Sequence, residues 1–389
     1  MKGLVLTAEW DPRPDYPVSE WERTTRKAIT GSSVWRSPRL ALESVADPKV
    51  GPGMVLLRPR ACGVCGSDVH FYETDAQGYI LYPGLTRFPV IIGHEFSGEV
   101  VEMGPGVTDL RPGDMVTAEE MIWCGECVPC RNGYPNQCLR LEEIGFTIHG
   151  AQAEYIAIGA KYCWPINALA ERYGSRDRAF EAGALCEPTS VAYNAMFTRA
   201  EGFKPGGHVV VFGTGPIGFA AIALARAAGA AKIIAFEVSA MRQELARKVG
   251  ADVVLDPTAL ERQGTRPRDA IMELTDGEGA AMLVEAAGAP PRTIPEMEAA
   301  LAVGGKVVMI GRASERAPVY LEHFQTHAAQ IYGAQGHSGY GNFPNVIRLM
   351  AAGRIDLTPI ITSRFTLDQG VEAIKKATRR EDGKIMIRS

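Results

Sequence analysis

The sequence predicts an α/β protein in two parts, a β-rich first half and a doubly wound parallel sheet in the second. Three observations lead there. From about residue 205, apolar runs of strand length alternate with helical stretches, the signature of parallel strands with helices on both faces. Before residue 188 the chain is richer in Gly, Pro and short alternating runs such as MVLLRPRACG and FSGEVVEMG. At 389 residues and 46% hydrophobic content, it is long enough for two domains, each with its own core.

The elements follow in order. The opening MKGLVLTAEWDPRPD is too short, and too broken by Glu9 and Asp11, for a signal-peptide core. No run approaches a membrane span, so a soluble cytoplasmic protein without a membrane partner is expected. Residues 11 to 37, rich in Pro, Arg and Trp, read as an inserted surface loop. HVVVFGTGPIGFAAIALARAAGA reads as strand, glycine-rich turn and helix. KIIAFE and DVVLD are the next strands, with MRQELARKVGA a helix between them; RDAIMEL is helical, AMLVEAAG and GKVVMIGR are strands, and QIYGAQG supplies a sixth. Beyond them FPNVIRLMAAG and LDQGVEAIKKATRR read as helices, the second with a capping box at Thr366 and Gln369. A net charge of −4 without a basic stripe argues against a nucleic-acid partner.

CGECVPCRNGYPNQC carries Cys124, Cys127, Cys130 and Cys138 on a loop that Gly125, Gly133 and two prolines let curl back. Four thiolates so close suit a closed tetrahedral zinc in a reducing compartment; disulfides and an iron–sulfur cluster are the alternatives. A closed site of this kind folds a loop and performs no chemistry.

GTGPIG places Gly213, Gly215 and Gly218 in the pattern G-x-G-x-x-G, directly after an apolar strand, with Pro216 and Ile217 opening a helix. Glu237 ends the next strand, 24 residues after Gly213. That context predicts dinucleotide binding: the glycines let a pyrophosphate approach the helix N-terminus, and the carboxylate accepts ribose hydroxyls. A carboxylate there opposes a 2′-phosphate and favours NAD over NADP. Arg242, five residues on, is the group that would receive a phosphate; its helical position reads more simply as solvated.

CGVCGSDVH, IIGHEFSGEVVE and GALCEPTSVA add Cys65, Ser67, Asp68, His70, His94, Glu95 and Glu187. Cys, His and Glu separated by tens of residues are compatible with a zinc site that keeps one position open for substrate. Taken singly, Cys62, Cys163 and Cys186 read as core.

Together GVCGSDVH, GHEFSGEVVEMG, CGECVPC, EPTSVA, GTGPIG and GADVVLDP resemble, in this order and over nearly the whole chain, the zinc-dependent medium-chain alcohol dehydrogenases. The resemblance implies a GroES-like catalytic domain with two zinc sites at 1–188, a Rossmann NAD-binding domain at 189–334, and a C-terminal return to the catalytic domain at 335–389. It implies that Cys65, His94 and Glu187 hold a catalytic zinc with Glu95 as a fourth or alternating ligand. Ser67 and His70 would relay the substrate proton through the cofactor ribose to solvent, in a cleft that excludes water once NAD closes it. The reaction so implied is reversible hydride transfer between a carbinol carbon and NAD. Many alcohol dehydrogenases carry cysteine where Glu187 stands; the Glu-Pro pair is similar to polyol dehydrogenases of the sorbitol type.

Three features point to a polyhydroxylated secondary alcohol: the Glu-type ligand, the tyrosine-bearing DAQGYILYPGLTRFP, and the polar GAQGHSGYG. They make Tyr79, Gln335 and His337 substrate candidates, because a polyol needs a hydrogen-bond partner for each hydroxyl. The Tyr-rich loop with EPTSVAYNA and GAQGHSG is similar to the scyllo-inosose dehydrogenases, a cyclitol-oxidising branch, so an inositol-type substrate is expected. An L-threonine 3-dehydrogenase or sorbitol-type activity is the alternative; a catalytically silent binding relative is disfavoured by the intact ligand set. A homodimer or homotetramer is expected, pairing through GKVVMIGR and APVYLEH as in the resembled family.

Overall fold

The computed structural model describes residues 1–312 and 315–389. They form two compact units, Met1–Glu187 together with Ile361–Ser389, and Pro188–Ile360.

Among the described residues, the second unit holds six parallel strands in the order Val253–Leu255, Lys232–Phe236, His208–Phe212, Ala280–Glu285, Leu301–Met309 and Gln330–Gly333. In chain order this is 3-2-1-4-5-6, the doubly wound arrangement that switches direction beside its first strand. Val209 to Phe212 are all buried, the continuous apolar run of a strand covered on both faces. Phe212 and Phe236 stack at 4.7 Å in a core shared with Val210, Ile234, Leu283 and Val307. Pro216 occupies the first turn of helix Pro216–Ala227, where its missing N–H costs nothing, so the helix begins as the glycine turn ends.

The C-terminal return, expected from residue 335, begins later. Helix Asn342–Ala351 buries Phe343, Val346, Ile347 and Met350. Asn342 donates from Nδ2 to Asn194 Oδ1 (3.3 Å) and to the His337 carbonyl (2.9 Å). This amphipathic face stays with the parallel sheet, and the chain rejoins the first unit at Ile361.

The first unit is built on a sheet ordered Cys163–Pro165, Met115–Ala118, Glu95–Met103, Met54–Gly63, Lys384–Arg388 and Ile361–Thr366, with Ile156–Gly159 also paired to Met54–Gly63. Val55, Leu57 and Pro59 alternate with more exposed neighbours, as a strand with one core face should. A three-stranded sheet joins Trp35–Ser44, Lys2–Trp10 and Val90–Ile91. The segment read as a surface loop is more ordered than its composition suggests. Helix Glu20–Thr25 opens with a capping box between Ser19 and Glu22, and the buried Glu22 carboxylate also accepts from Ile29 N (2.9 Å) and the Tyr16 hydroxyl (2.8 Å). A Pro- and Arg-rich composition hides this because the partners of one carboxylate come from separate turns.

Two features of the return segment place functional side chains. Ala373 and Ile374 of helix Gly370–Ala377 pack in one core with Val69 and Phe71 of helix Gly66–Tyr72, which carries Ser67 and His70. Buried Glu181 accepts from Arg364 Nε (2.6 Å) and Arg388 Nε (2.8 Å), tying both return strands to helix Arg176–Ala184. Among the described residues no helix is long and apolar enough to cross a membrane.

Candidate functional site

Cys65, His94 and Glu95 come together with one ligand atom from each within 4.8 Å of the others. Strand pairing does this. Cys65 follows strand Met54–Gly63, and Glu95 opens the neighbouring antiparallel strand, where the register sets it against Gly63. Glu187 lies in helix Cys186–Tyr193, and its carboxylate is within 4.8 Å of that of Glu120, a residue that belongs to none of the sequence motifs.

The surroundings are dry and acidic. Asp68, Glu95, Glu120 and Glu187 are exposed by 0%, 1%, 6% and 5%. Burial pushes the Cys65 thiol up to about 12, with Glu95 adding to the effect. Burial also raises Asp68, and it lifts Glu120 and Glu187 well above the carboxylate range, Glu143 reinforcing the first and Glu95 the second. Burial opposes charge on His94, yet Asp68, its Oδ1 3.8 Å from Nδ1, and Glu187 leave the imidazole above its ordinary pKa. Neither His94 Nδ1 nor Asp68 Oδ1 has a hydrogen-bond partner among the described residues. A thiol, an imidazole and buried carboxylates in this arrangement fit zinc, which accepts S, N and O donors and supplies the positive charge that their deprotonated forms need.

Lys384 is a functional neighbour that no motif marks. It is 2% exposed on the last strand, pairs with the Glu95 carboxylate and donates to the Val64 carbonyl at 3.0 Å. Burial opposes its charge, but Glu95 and Cys65 hold its pKa above the ordinary lysine value. Strand pairing alone reveals a lysine so near the C-terminus. One oxygen of Glu95 therefore serves Lys384, so this carboxylate is a counter-ion as well as a ligand candidate.

Ser67 Oγ lies 3.4 Å from His94 Nε2, and His70 follows one turn later in the same helix. Partial burial and the nearby Arg380 guanidinium lower the pKa of His70. The buried ring of Tyr79 has the Arg13 guanidinium 4.0 Å and that of Arg36 5.7 Å from its centroid, which binds the 11–37 segment to the following loop. Gln335 and His337 belong to the second unit. The Gln335 side chain is exposed and its carbonyl accepts from Asn194 Nδ2 at 3.4 Å, while His337 is buried with its ring edge-on to Phe343 at 5.1 Å.

The four clustered cysteines also converge. Their sulfurs all lie within 4.8 Å of one another, and Cys127 Sγ is 3.8 Å from Cys138 Sγ. A tetrahedron with Zn–S arms of about 2.3 Å has edges of about 3.8 Å. Among the described residues all eight cysteines are free, so the disulfide alternative finds no support. Backbone N–H groups of Glu126 and Cys127 point at Cys124 Sγ (3.4 Å each) and lower its pKa to about 6, while burial raises Cys130 to about 12.

In the second unit, Gly213 has φ +84°, and a Cβ there would sit 2.6 Å from the Ala287 backbone; one at Gly218 would overlap the Gly213 carbonyl. Gly215 differs: a Cβ would meet nothing within 4 Å, so its space is open, as a turn that receives a ligand requires. Glu237, 8% exposed, accepts from Thr214 N (2.9 Å), Thr214 Oγ1 (3.0 Å) and Ser239 N (2.9 Å), which holds its carboxylate beneath the turn. Gly213, Gly215, Glu237 and Arg242 line one cavity of about 720 Å³. Arg242 is thus a wall of the cavity rather than a merely solvated residue; Arg266 and Arg292, unmarked by any motif, line it too.

Comparison with known proteins bears on both sites. A model of the alcohol dehydrogenase GroES-like domain matches residues 51–168, and a model of the zinc-binding dehydrogenase matches residues 216–352. The scyllo-inosose 3-dehydrogenase of Thermotoga maritima is 45% identical over 387 residues, 97% of this chain and 96% of its own. The L-threonine 3-dehydrogenase of Thermococcus kodakarensis is 33% identical over 349 residues, 89% and 93% of the two chains. A solved Thermotoga maritima structure, described as that of an alcohol dehydrogenase, matches with TM-score 0.95 and 44% identity over 100% of both chains.

Proposed function

The chain belongs to the zinc-binding alcohol dehydrogenase family with a GroES-like domain, an oxidoreductase family that uses zinc and a nicotinamide cofactor, and on that premise we propose that it oxidises a secondary alcohol of a polyol or cyclitol to the ketone with NAD as acceptor. The observation that carries this reading is the buried carboxylate of Glu187, an electrostatic neighbour of the Cys65, His94 and Glu95 cluster, where many alcohol dehydrogenases carry cysteine. The 45% identity to a cyclitol enzyme, against 33% to a threonine enzyme, supports the same choice.

Cys65, His94 and Glu187 would hold the catalytic zinc, with Glu95, which the structure brings nearer to Cys65 and His94 than Glu187, as fourth or alternating ligand and Asp68 as the carboxylate that favours charge on His94. Zinc there supplies a Lewis acid that lowers the pKa of an alcohol hydroxyl. Ser67, beside His94 Nε2, accepts the proton leaving the carbinol oxygen, and His70, one turn on, releases it to solvent. NAD would supply the hydride acceptor; the open turn at Gly215 would receive its pyrophosphate and Glu237 would accept from its ribose hydroxyls. Cys124, Cys127, Cys130 and Cys138 would hold a second, structural zinc. A reducing compartment, the cytoplasm, suits eight free cysteines. A homodimer or homotetramer is supported by the exposed Val303 (82%), Leu321 (74%) and Ile331 (47%), the last on the outer strand of the parallel sheet.

The test is NADH release at 340 nm against inositols, sorbitol, L-threonine and simple secondary alcohols. Preference for inositols is the expected result; preference for threonine would replace this reading.

A further inference from the structure

We infer that Glu285 is a positioning residue for the nicotinamide cofactor, holding residues 286–289 as a fixed wall of the cavity beside the glycine turn; this rests on the reading above that the cavity receives the dinucleotide. The placement begins with local sequence. Glu285 ends strand Ala280–Glu285, and after a short loop helix Pro290–Glu298 begins. Pro290 and Pro291 open that helix without N–H groups, and its N-cap residue, Ala289, has no side-chain oxygen, so the entry to the helix is held from outside it. The Glu285 carboxylate does the holding. It accepts from Gly288 N and Ala289 N at 3.2 Å each and from Thr293 Oγ1 at 3.3 Å. Its backbone carbonyl accepts from Ile310 N (3.1 Å) and Gly311 N (2.9 Å), which fixes the residue to the next strand.

The side chain is 0% exposed, and burial raises its pKa; the N–H groups of Ala289 and Gly288 and the Thr293 hydroxyl favour the charged form. A buried carboxylate is tolerated only where its oxygens are satisfied, and these side-chain bonds come from the loop and from the first turn of the helix it enters. That loop is a cavity wall. Ala286, Ala287, Ala289 and Thr293 line the cavity with Gly213, Gly215 and Glu237, whereas Glu285 lies behind them. Ala286 N donates to the Phe212 carbonyl at 2.9 Å, and a Cβ on Gly213 would sit 2.6 Å from the Ala287 backbone, so the loop and the glycine turn meet without slack. Gly311 leaves room on the other side, where a Cβ would strike the Glu285 carboxylate. An ionised carboxylate offers two oxygens that only accept, whereas a glutamine amide turns one NH2 toward a backbone N–H. Glu285 therefore acts on the cofactor through residues 286–289, without touching it.

The experiment compares zinc-loaded wild type with Glu285→Gln, Glu285→Asp, Thr293→Ser and Thr293→Val. Three quantities are read: the Kd of NADH by fluorescence titration, KM for NAD against kcat with an alcohol that wild type oxidises, and thermal unfolding of the cofactor-free protein. Glu285→Gln should raise both Kd and KM about 10-fold, the order of one hydrogen bond to a charged group, with kcat changed less than about 2-fold, the pattern of binding shared by ground and transition states. Glu285→Asp keeps both acceptor oxygens at shorter reach and should recover part of the affinity. Thr293→Val, which lacks the hydroxyl, should weaken NADH more than Thr293→Ser, which keeps it. A lower unfolding temperature with Kd and KM unchanged would make Glu285 structural only, and a loss confined to kcat would equally overturn the inference. Should Glu285→Gln fail to fold, equal NADH affinity in the two Thr293 variants would refute it. Wild type that binds neither NADH nor NADPH would remove the cofactor reading and this inference together; wild type that binds NADH, with variants that bind it as tightly, sinks the inference alone.

Discussion

The Lys384 ammonium and the Glu95 carboxylate form a buried ion pair that joins the last strand of the chain to the strand that opens at the Cys65, His94 and Glu95 cluster. Both side chains are at most 1% exposed, and the lysine's second contact is the Val64 carbonyl at 3.0 Å, one residue before Cys65. The C-terminal segment thereby braces the candidate metal ligands Cys65 and Glu95 directly.

Removing one partner leaves a buried charge uncompensated, which typically destabilises by about 3–5 kcal/mol. Lys384→Met should lower unfolding free energy by that order in urea titration, and Lys384→Met combined with Glu95→Gln should recover much of it. A single variant as stable as wild type would show that the pair contributes nothing.

The two metal sites should respond differently. Cys65→Ala or His94→Ala is expected to lose at least about 1,000-fold in turnover, on the order of removing a principal catalytic group, while retaining NADH binding by fluorescence, because the glycine turn lies in the other unit. Metal analysis should find two zinc ions in wild type and one in these variants.

Cys127→Ser should instead lower stability, since a structural zinc contributes folding free energy. Chelation monitored by circular dichroism should unfold this lobe before the parallel sheet. Iron with a visible chromophore would overturn the zinc assignment.

If the proposed function holds, cofactor choice should rest on Glu237. A carboxylate held beneath the turn opposes a 2′-phosphate, and each 1.4 kcal/mol is tenfold, so kcat/KM for NAD should exceed that for NADP by about 100-fold or more. Glu237→Ala should shrink the gap mainly by weakening NAD. It should also cost about 1 kcal/mol of stability, because the carboxylate braces Thr214. Comparable use of both cofactors by wild type would transfer the decisive role to Arg242.

The sign of the His70 shift sets a pH limb. Burial and Arg380 disfavour the imidazolium, so the neutral, proton-accepting form persists below the ordinary His value of about 6.5. The acid limb of kcat/KM should have its midpoint below pH 6.5, and His70→Gln should remove that limb while leaving zinc content intact. A limb unchanged in the variant would assign it to another group.

Local features are legible in the amino-acid sequence by itself. The four thiols of 124–138 and the turn 213–218 each lie within a short stretch of chain, and backbone geometry at that range follows from residue type: cysteines spaced for one ion, glycines where a side chain would strike Ala287 or the Gly213 carbonyl. The apolar runs likewise announce the six parallel strands, because a strand buried on both faces has no alternative composition. Which distant groups meet is decided only by the tertiary structure. Lys384 and Glu95 are 289 residues apart and face each other through the register of three strands. Tyr79 is drawn to two arginines of the 11–37 segment, and the stretch after 335 stays with the parallel sheet because its helix buries an apolar face there. A side chain's partner is set by strand register and by competition among all groups that folding brings near, and neither is encoded in the few residues around it.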